Sequence, residues 1–178
     1  MPMKDTRGFT LIELMVATGL FAMIMLLSSG AYLMMISLNH QAQGIATGVN
    51  NLSFALETMT RGIRTGSKYT CPSGASGCVI NASTGPFSFT NSNGKLSSYA
   101  LVGSRVQETV DGVQSTLTDP SVTITSLFFY VTGTKPVSGD QQQARVTILV
   151  SGTVSSSANK KPQAFTVETG ATMRQSDI

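Results

Sequence analysis

A short stretch near the start of the chain holds the residues best placed to do chemistry. Arg7-Gly8-Phe9-Thr10-Leu11-Ile12-Glu13-Leu14 sets a glycine–aromatic junction one helical turn ahead of a carboxylate. Glu13 is the only charged residue between Phe9 and Leu38. A carboxylate inside a membrane-length apolar helix costs on the order of 2.5–3.5 kcal/mol even on lenient insertion scales, so a partner is expected. A cut between Gly8 and Phe9 would supply one. It creates an amino terminus four residues before Glu13, able to pair with that acid within one helix or between neighbouring helices.

The other candidate chemistry is a thiol pair, Cys71 and Cys78, separated by Pro-Ser-Gly-Ala-Ser-Gly. In an oxidising exterior the pair reads as a disulfide closing a short glycine-rich loop. A metal site is the sharper alternative, and free thiols are a third. The lone His40 lies far away beside the apolar run, however, and no second cysteine pair completes a tetrahedral set. No metal or other cofactor is expected. A Ser–His–Asp arrangement would have to use His40, and there is neither a phosphate-cradling glycine loop nor an HExxH motif. An enzyme is therefore not expected. Arg61, Arg64 and Lys68 near a helix end, with the pair Lys160-Lys161, are too few and too dispersed to imply a nucleic-acid partner. The sequons Asn51-Leu52-Ser53 and Asn81-Ala82-Ser83 are short enough to arise by chance.

The elements that must position these residues follow from hydropathy. Residues 9–38 form an apolar run that spans about 45 Å as a helix, enough to cross a bilayer. Lys4 and Arg7 flank it on the N-terminal side, which holds that end in the cytoplasm and places the C-terminal domain outside. The run is too long for the apolar region of an ordinary signal peptide. Beyond it, Ile45, Val49, Leu52, Leu56, Met59 and Ile63 recur at spacings of three and four, an amphipathic helical face seated on a core. Arg61-Gly62-Ile63-Arg64-Thr65-Gly66 reads as the helix end, with cations in the last turn and glycine after them. The helix is thus expected over Phe9–Thr65, roughly 85 Å. Gly19, Gly30, Gly44 and Gly48 within it permit close helix approach or local bending.

After Gly66 the pattern turns to strands. Phe87–Thr90, Leu96–Val102, Arg105–Val110, Val113–Leu117, Val122–Thr132, Ala144–Val154 and Gln163–Thr172 are separated by turn signals such as Asn91-Ser92-Asn93-Gly94 and Asp111-Gly112. The expected fold is α+β: a long N-terminal helix packed on an antiparallel meander. The expected organisation is a leader at 1–8, a membrane or filament-core helix at 9–38, an amphipathic extension at 39–66 and a β-rich extracytoplasmic domain at 67–178. Charged residues make up only 12% of the 178, which suits such a domain better than a cytoplasmic enzyme.

Gly8-Phe9-Thr10-Leu11-Ile12-Glu13 followed by the long apolar helix resembles the cleavage and methylation motif of type IV prepilins and type II secretion pseudopilins. The resemblance implies a membrane peptidase and methyltransferase that cuts after Gly8 and N-methylates Phe9. It also implies that Glu13 helps dock each subunit into a helical filament with other pilin or pseudopilin subunits. Ser126-Leu127-Phe128-Phe129-Tyr130, Gln143-Ala144-Arg145-Val146-Thr147-Ile148 and the closing Phe165–Arg174 resemble the strands of minor pilins and of J-class or W-class pseudopilins. The expected function is a structural subunit, a minor pilin that initiates or caps a pilus. The alternatives are a J-class-like pseudopilin of type II secretion and a membrane-anchored adhesin-like binding module.

Overall fold

The computed structural model describes residues 8–71, 77–134, 143–155 and 162–174. The leader with Lys4 and Arg7, residues 72–76 of the loop between the two cysteines, the loop around Pro136 and Gly139, and Lys160-Lys161 lie outside the described residues. One helix, α1 (Leu11–Thr65), is followed by eight strands: β1 (Gly77–Asn81), β2 (Phe87–Thr90), β3 (Leu96–Val102), β4 (Arg105–Val110), β5 (Val113–Thr116), β6 (Val122–Thr132), β7 (Arg145–Val154) and β8 (Gln163–Thr172). The chain divides into two units, Met1–Gln41 and Ala42–Ile178, and α1 contributes to both.

In the first unit α1 is apolar all round and exposed all round. Its large side chains, from Leu11 and Ile12 to Met35 and Leu38, have no core of their own to enter. This helix is long and apolar enough to cross a membrane. Three of the hydroxyls embedded in it are satisfied locally. Thr18 Oγ1 donates to the Leu14 carbonyl at 2.9 Å, Ser29 Oγ to that of Met25 at 2.8 Å, and Ser37 Oγ to that of Met34 at 2.9 Å. Such back-bonding into the preceding turn lets small polar residues sit in an apolar helix without an orphaned hydroxyl.

The second unit pairs the rest of α1 with two antiparallel sheets rather than one meander. β2-β3-β4-β5 is a meander of sequential hairpins, whereas the other sheet has the order β1-β6-β7-β8. β1 lies outside the strands expected from sequence. Its Gly-Cys-Val-Ile-Asn is short and follows the glycine-rich loop, and only pairing with β6 makes it a strand. The β4–β5 turn at Asp111-Gly112 has positive φ at both residues (53° and 83°), the conformation of a two-residue hairpin turn. Asn91 shapes the β2–β3 turn through Oδ1, which accepts from the Asn93 and Lys95 amides at 3.0 Å each.

The sheets are stitched at two points, Ala82 and Ile124. The Ala82 amide donates to the Leu127 carbonyl and the Ala82 carbonyl accepts from Leu101, both at 2.9 Å. Ile124 donates to Ser104 at 2.9 Å beside the bulge between Ile124 and Ser126. Between them lies an aromatic stack. Phe87 and Phe129 have centroids 4.7 Å apart and Phe89 and Tyr99 5.5 Å apart, with all four rings buried.

The helix face that meets this core differs in detail from the expected stripe. Gly48, Leu52, Ala55, Met59 and Ile63 are buried, while Val49 is largely exposed. Gly48 takes the inward position because Val154 of β7 occupies the space a Cβ would need. Gly62 and Gly66 serve the same purpose: added Cβ atoms would come within 2.5 Å of the Tyr99 hydroxyl and of Phe89 Cδ2 respectively. Gly66 is accordingly not a left-handed cap, since the positive φ falls at Lys68. The terminal carbonyls of α1 are instead met by chain from elsewhere. Tyr69 Oη donates to Ile63 O at 2.6 Å, and the Arg174 amide donates to Arg64 O at 3.0 Å.

Candidate processing and assembly site

The start of α1 is set by Thr10. Its Oγ1 accepts from the Glu13 amide at 3.3 Å and its carbonyl from the Leu14 amide at 3.2 Å, the geometry of an N-cap residue. With Glu13 three positions on, Thr10-Leu11-Ile12-Glu13 has the sequence form of a capping box, and the acid sits in the first turn where the helix dipole favours it. Helix therefore begins at Leu11, two residues later than expected, and Gly8, Phe9 and Thr10 have non-helical backbone. The Gly8–Phe9 peptide bond lies in chain free of helical hydrogen bonding.

Gly8 and Phe9 are both exposed, Phe9 at 84%. Nothing lies within 4 Å of the position a Cβ on Gly8 would take, and its φ is not in the left-handed region. The fold does not require glycine there. Glu13 is exposed in the first turn, and among the described residues no cation or donor pairs with its carboxylate. A lone carboxylate at the head of an apolar, exposed helix can accept an ammonium from a second chain, or from its own new terminus after a cut.

Cys71 and Cys78 are joined, with Cα atoms 5.7 Å apart. The bond ties the chain just after α1 to the first turn of β1, so it fixes where the edge strand enters its sheet. No group of His, Cys, Asp and Glu among the described residues is arranged to hold a metal ion. Of the cations weighed for an anionic partner, Arg61 is paired with Glu57 at 2.7 Å on the exposed face of α1. The carbonyl of Arg64 receives the Arg174 amide. Asn51, in the first sequon, is also engaged: its Oδ1 accepts from the Asp119 amide at 2.8 Å and anchors the β5–β6 connection to the helix. Sequence reasoning missed that contact, which joins residues 68 positions apart.

Comparison with curated proteins and with solved structures gives no match. Residues 3–29 match the family model described as the prokaryotic N-terminal methylation motif. That span contains the Gly8–Phe9 junction, the Thr10 cap, Glu13 and the first half of the apolar helix, and with it the chain carries the signature of type IV prepilins and pseudopilins.

Proposed function

We propose that this chain is a filament subunit made as a membrane-anchored precursor. It is cut between Gly8 and Phe9, methylated on Phe9, and then assembled through α1. Glu13 pairs with the amino terminus of a neighbouring subunit, so the charge tolerated in the apolar helix becomes the docking contact. The observation that carries this reading is Glu13, without a partner among the described residues, one turn behind a non-helical Gly8–Phe9 junction and within the span that matches the methylation motif. The free terminal amine has a reference pKa near 8 and is largely cationic at neutral pH, and methylation keeps that charge. Lys4 and Arg7 favour a cytoplasmic N-terminus with residues 67–178 outside the membrane.

Within this class the closing strands favour a minor pilin that initiates or caps filaments, and the same residues fit a J-class pseudopilin of type II secretion. Shearing filaments from native cells and reading the N-terminal peptide by mass spectrometry separates these. A trace of chain beginning at methylated Phe9 in the filaments supports the minor pilin. Processed chain confined to the membrane supports the pseudopilin. Processed chain that stays in the membrane and is indifferent to Glu13 would instead mark an anchored binding module.

A further inference from the structure

In a helix that ran upstream of Leu11, the Glu13 amide would donate to the Phe9 carbonyl and the Ile12 amide to that of Gly8. Neither bond is made. The Glu13 amide goes instead to Thr10 Oγ1 at 3.3 Å, and the Leu14 amide goes to the Thr10 carbonyl at 3.2 Å. The carbonyls of Gly8 and Phe9 accept no backbone hydrogen bond from a described residue. One hydroxyl thus intercepts the donor that would draw Phe9 into the helix.

Other local terms do little to fix where the helix begins. Phe9 and Leu14 occupy the two positions of a hydrophobic staple, yet they are 84% and 62% exposed and bury little surface. Upstream, Asp5 and Thr6 are residues of the type that cap helices, so an earlier start has caps available to it. A helix begun there would enclose the Gly8–Phe9 bond. The proposed cut is a hydrolysis of that bond. Water oxygen adds to the Gly8 carbonyl carbon, the carbon–nitrogen bond breaks, and the nitrogen leaves with a proton as the Phe9 amine. The attacking water needs an open face of the carbonyl, and the departing nitrogen needs room to move. Helical hydrogen bonding and the side chains of adjacent turns would deny both.

We propose that Thr10 is a positioning residue for the cut: its side-chain oxygen, by capping the Glu13 amide, holds the Gly8–Phe9 bond two residues ahead of α1. The inference rests on the processing reading above and adds the residue that presents the junction. Without the cap the helix start spreads upstream and downstream, and fewer chains present the bond at that distance. The hydroxyl acts as a hydrogen-bond acceptor, and not as a shape read by the peptidase.

The test follows the peptide that begins at Phe9 as it appears in full-length chains newly made in native membranes. Rates are taken relative to precursor already in the membrane fraction, so a failure to insert does not count. Thr10→Val keeps the shape and loses the acceptor, whereas Thr10→Ser keeps the acceptor and loses the methyl group. Thr10→Ala and Thr10→Val should be cut about fivefold more slowly than wild type, the population change that loss of a side-chain cap gives. Thr10→Ser should be cut at the wild-type rate. A wild-type rate for Thr10→Val, or a Thr10→Ser as slow as Thr10→Ala, would overturn the proposal. If the wild-type chain itself keeps Met1–Gly8, the processing reading fails. If the wild type is cut and the series does not follow the acceptor, only the positioning inference fails.

Discussion

The Glu13 amide donates to the side-chain oxygen of Thr10 at 3.3 Å, and this one contact separates two functions of the same segment. It starts the helix at Leu11, leaving Gly8–Phe9 outside the helix where the proposed cut falls, and it holds Glu13 in the first turn, close to where the new terminus would form. Thr10→Ala should destabilise the helix start by about 1 kcal/mol. Amide exchange at Leu11 to Leu14 in detergent micelles should quicken accordingly, while exchange in β6 and β7 stays unchanged. Equal quickening in the sheets would mean that the cap acts on the whole fold.

A Cβ added at Gly8 would meet nothing within 4 Å, so under the proposed processing any requirement for glycine there comes from the peptidase. Gly8→Val should leave the unfolding transition and membrane insertion as they are and abolish the peptide that begins at Phe9. Normal processing of Gly8→Val would show that the junction is not read at this residue.

Gly48 and Gly30 make a matched pair of opposite sign. Gly48→Ala pushes a methyl group into Val154 and should cost about 1–3 kcal/mol, with Val154→Ala recovering part of the loss. Gly30→Ala meets nothing within 4 Å and should be neutral or stabilise the helix by up to about 1 kcal/mol. Thermal unfolding of the purified full chain measures both. Destabilisation by Gly30→Ala would contradict the open surroundings of that position.

These two glycines also show how much the sequence could disclose. The membrane-length run, its single acid and the glycine–phenylalanine junction are legible because each is a local pattern with a large energetic signature. Seven of the eight strands are legible in outline because alternation and Asn-Gly or Asp-Gly turns are local too. What stayed hidden is what depends on partners distant in sequence: β1, which is a strand only because β6 pairs with it, and the inward turn of Gly48 in place of Val49, which depends on Val154. The division into two sheets stayed hidden for the same reason, since it arises where Ala82 bonds both Leu127 and Leu101.

The Cys71–Cys78 bond closes a short loop, for which the chain-entropy estimate is about 2–3 kcal/mol. Cys71→Ser with Cys78→Ser should lower unfolding stability by that order. The loss should centre on β1, with amide exchange at Val79 and Ile80 rising before that of β7. Uniform loss of protection across both sheets would contradict a local role for the bond.

Asp119 carries a modest pH signature. Its carboxylate accepts from the Ser121 amide at 2.9 Å, which holds its pKa below the usual carboxylate value. A depressed folded pKa contributes stability that is complete above the unfolded value, near 3.9, and is lost as pH falls through the folded value. Asp119→Asn should therefore flatten the stability profile below about pH 4. An unchanged profile would assign the acid sensitivity to other groups.

Assembly by the proposed route depends on the Glu13 carboxylate, which Glu13→Gln removes at nearly constant size. Native cells expressing this variant are sheared, and the N-terminal peptide of the chain is quantified in filament and membrane fractions. The expected result is a chain that still begins at Phe9 and still inserts, yet is depleted from the assembled fraction relative to wild type. Undiminished incorporation of Glu13→Gln would contradict the pairing of this carboxylate with a neighbour's amino terminus.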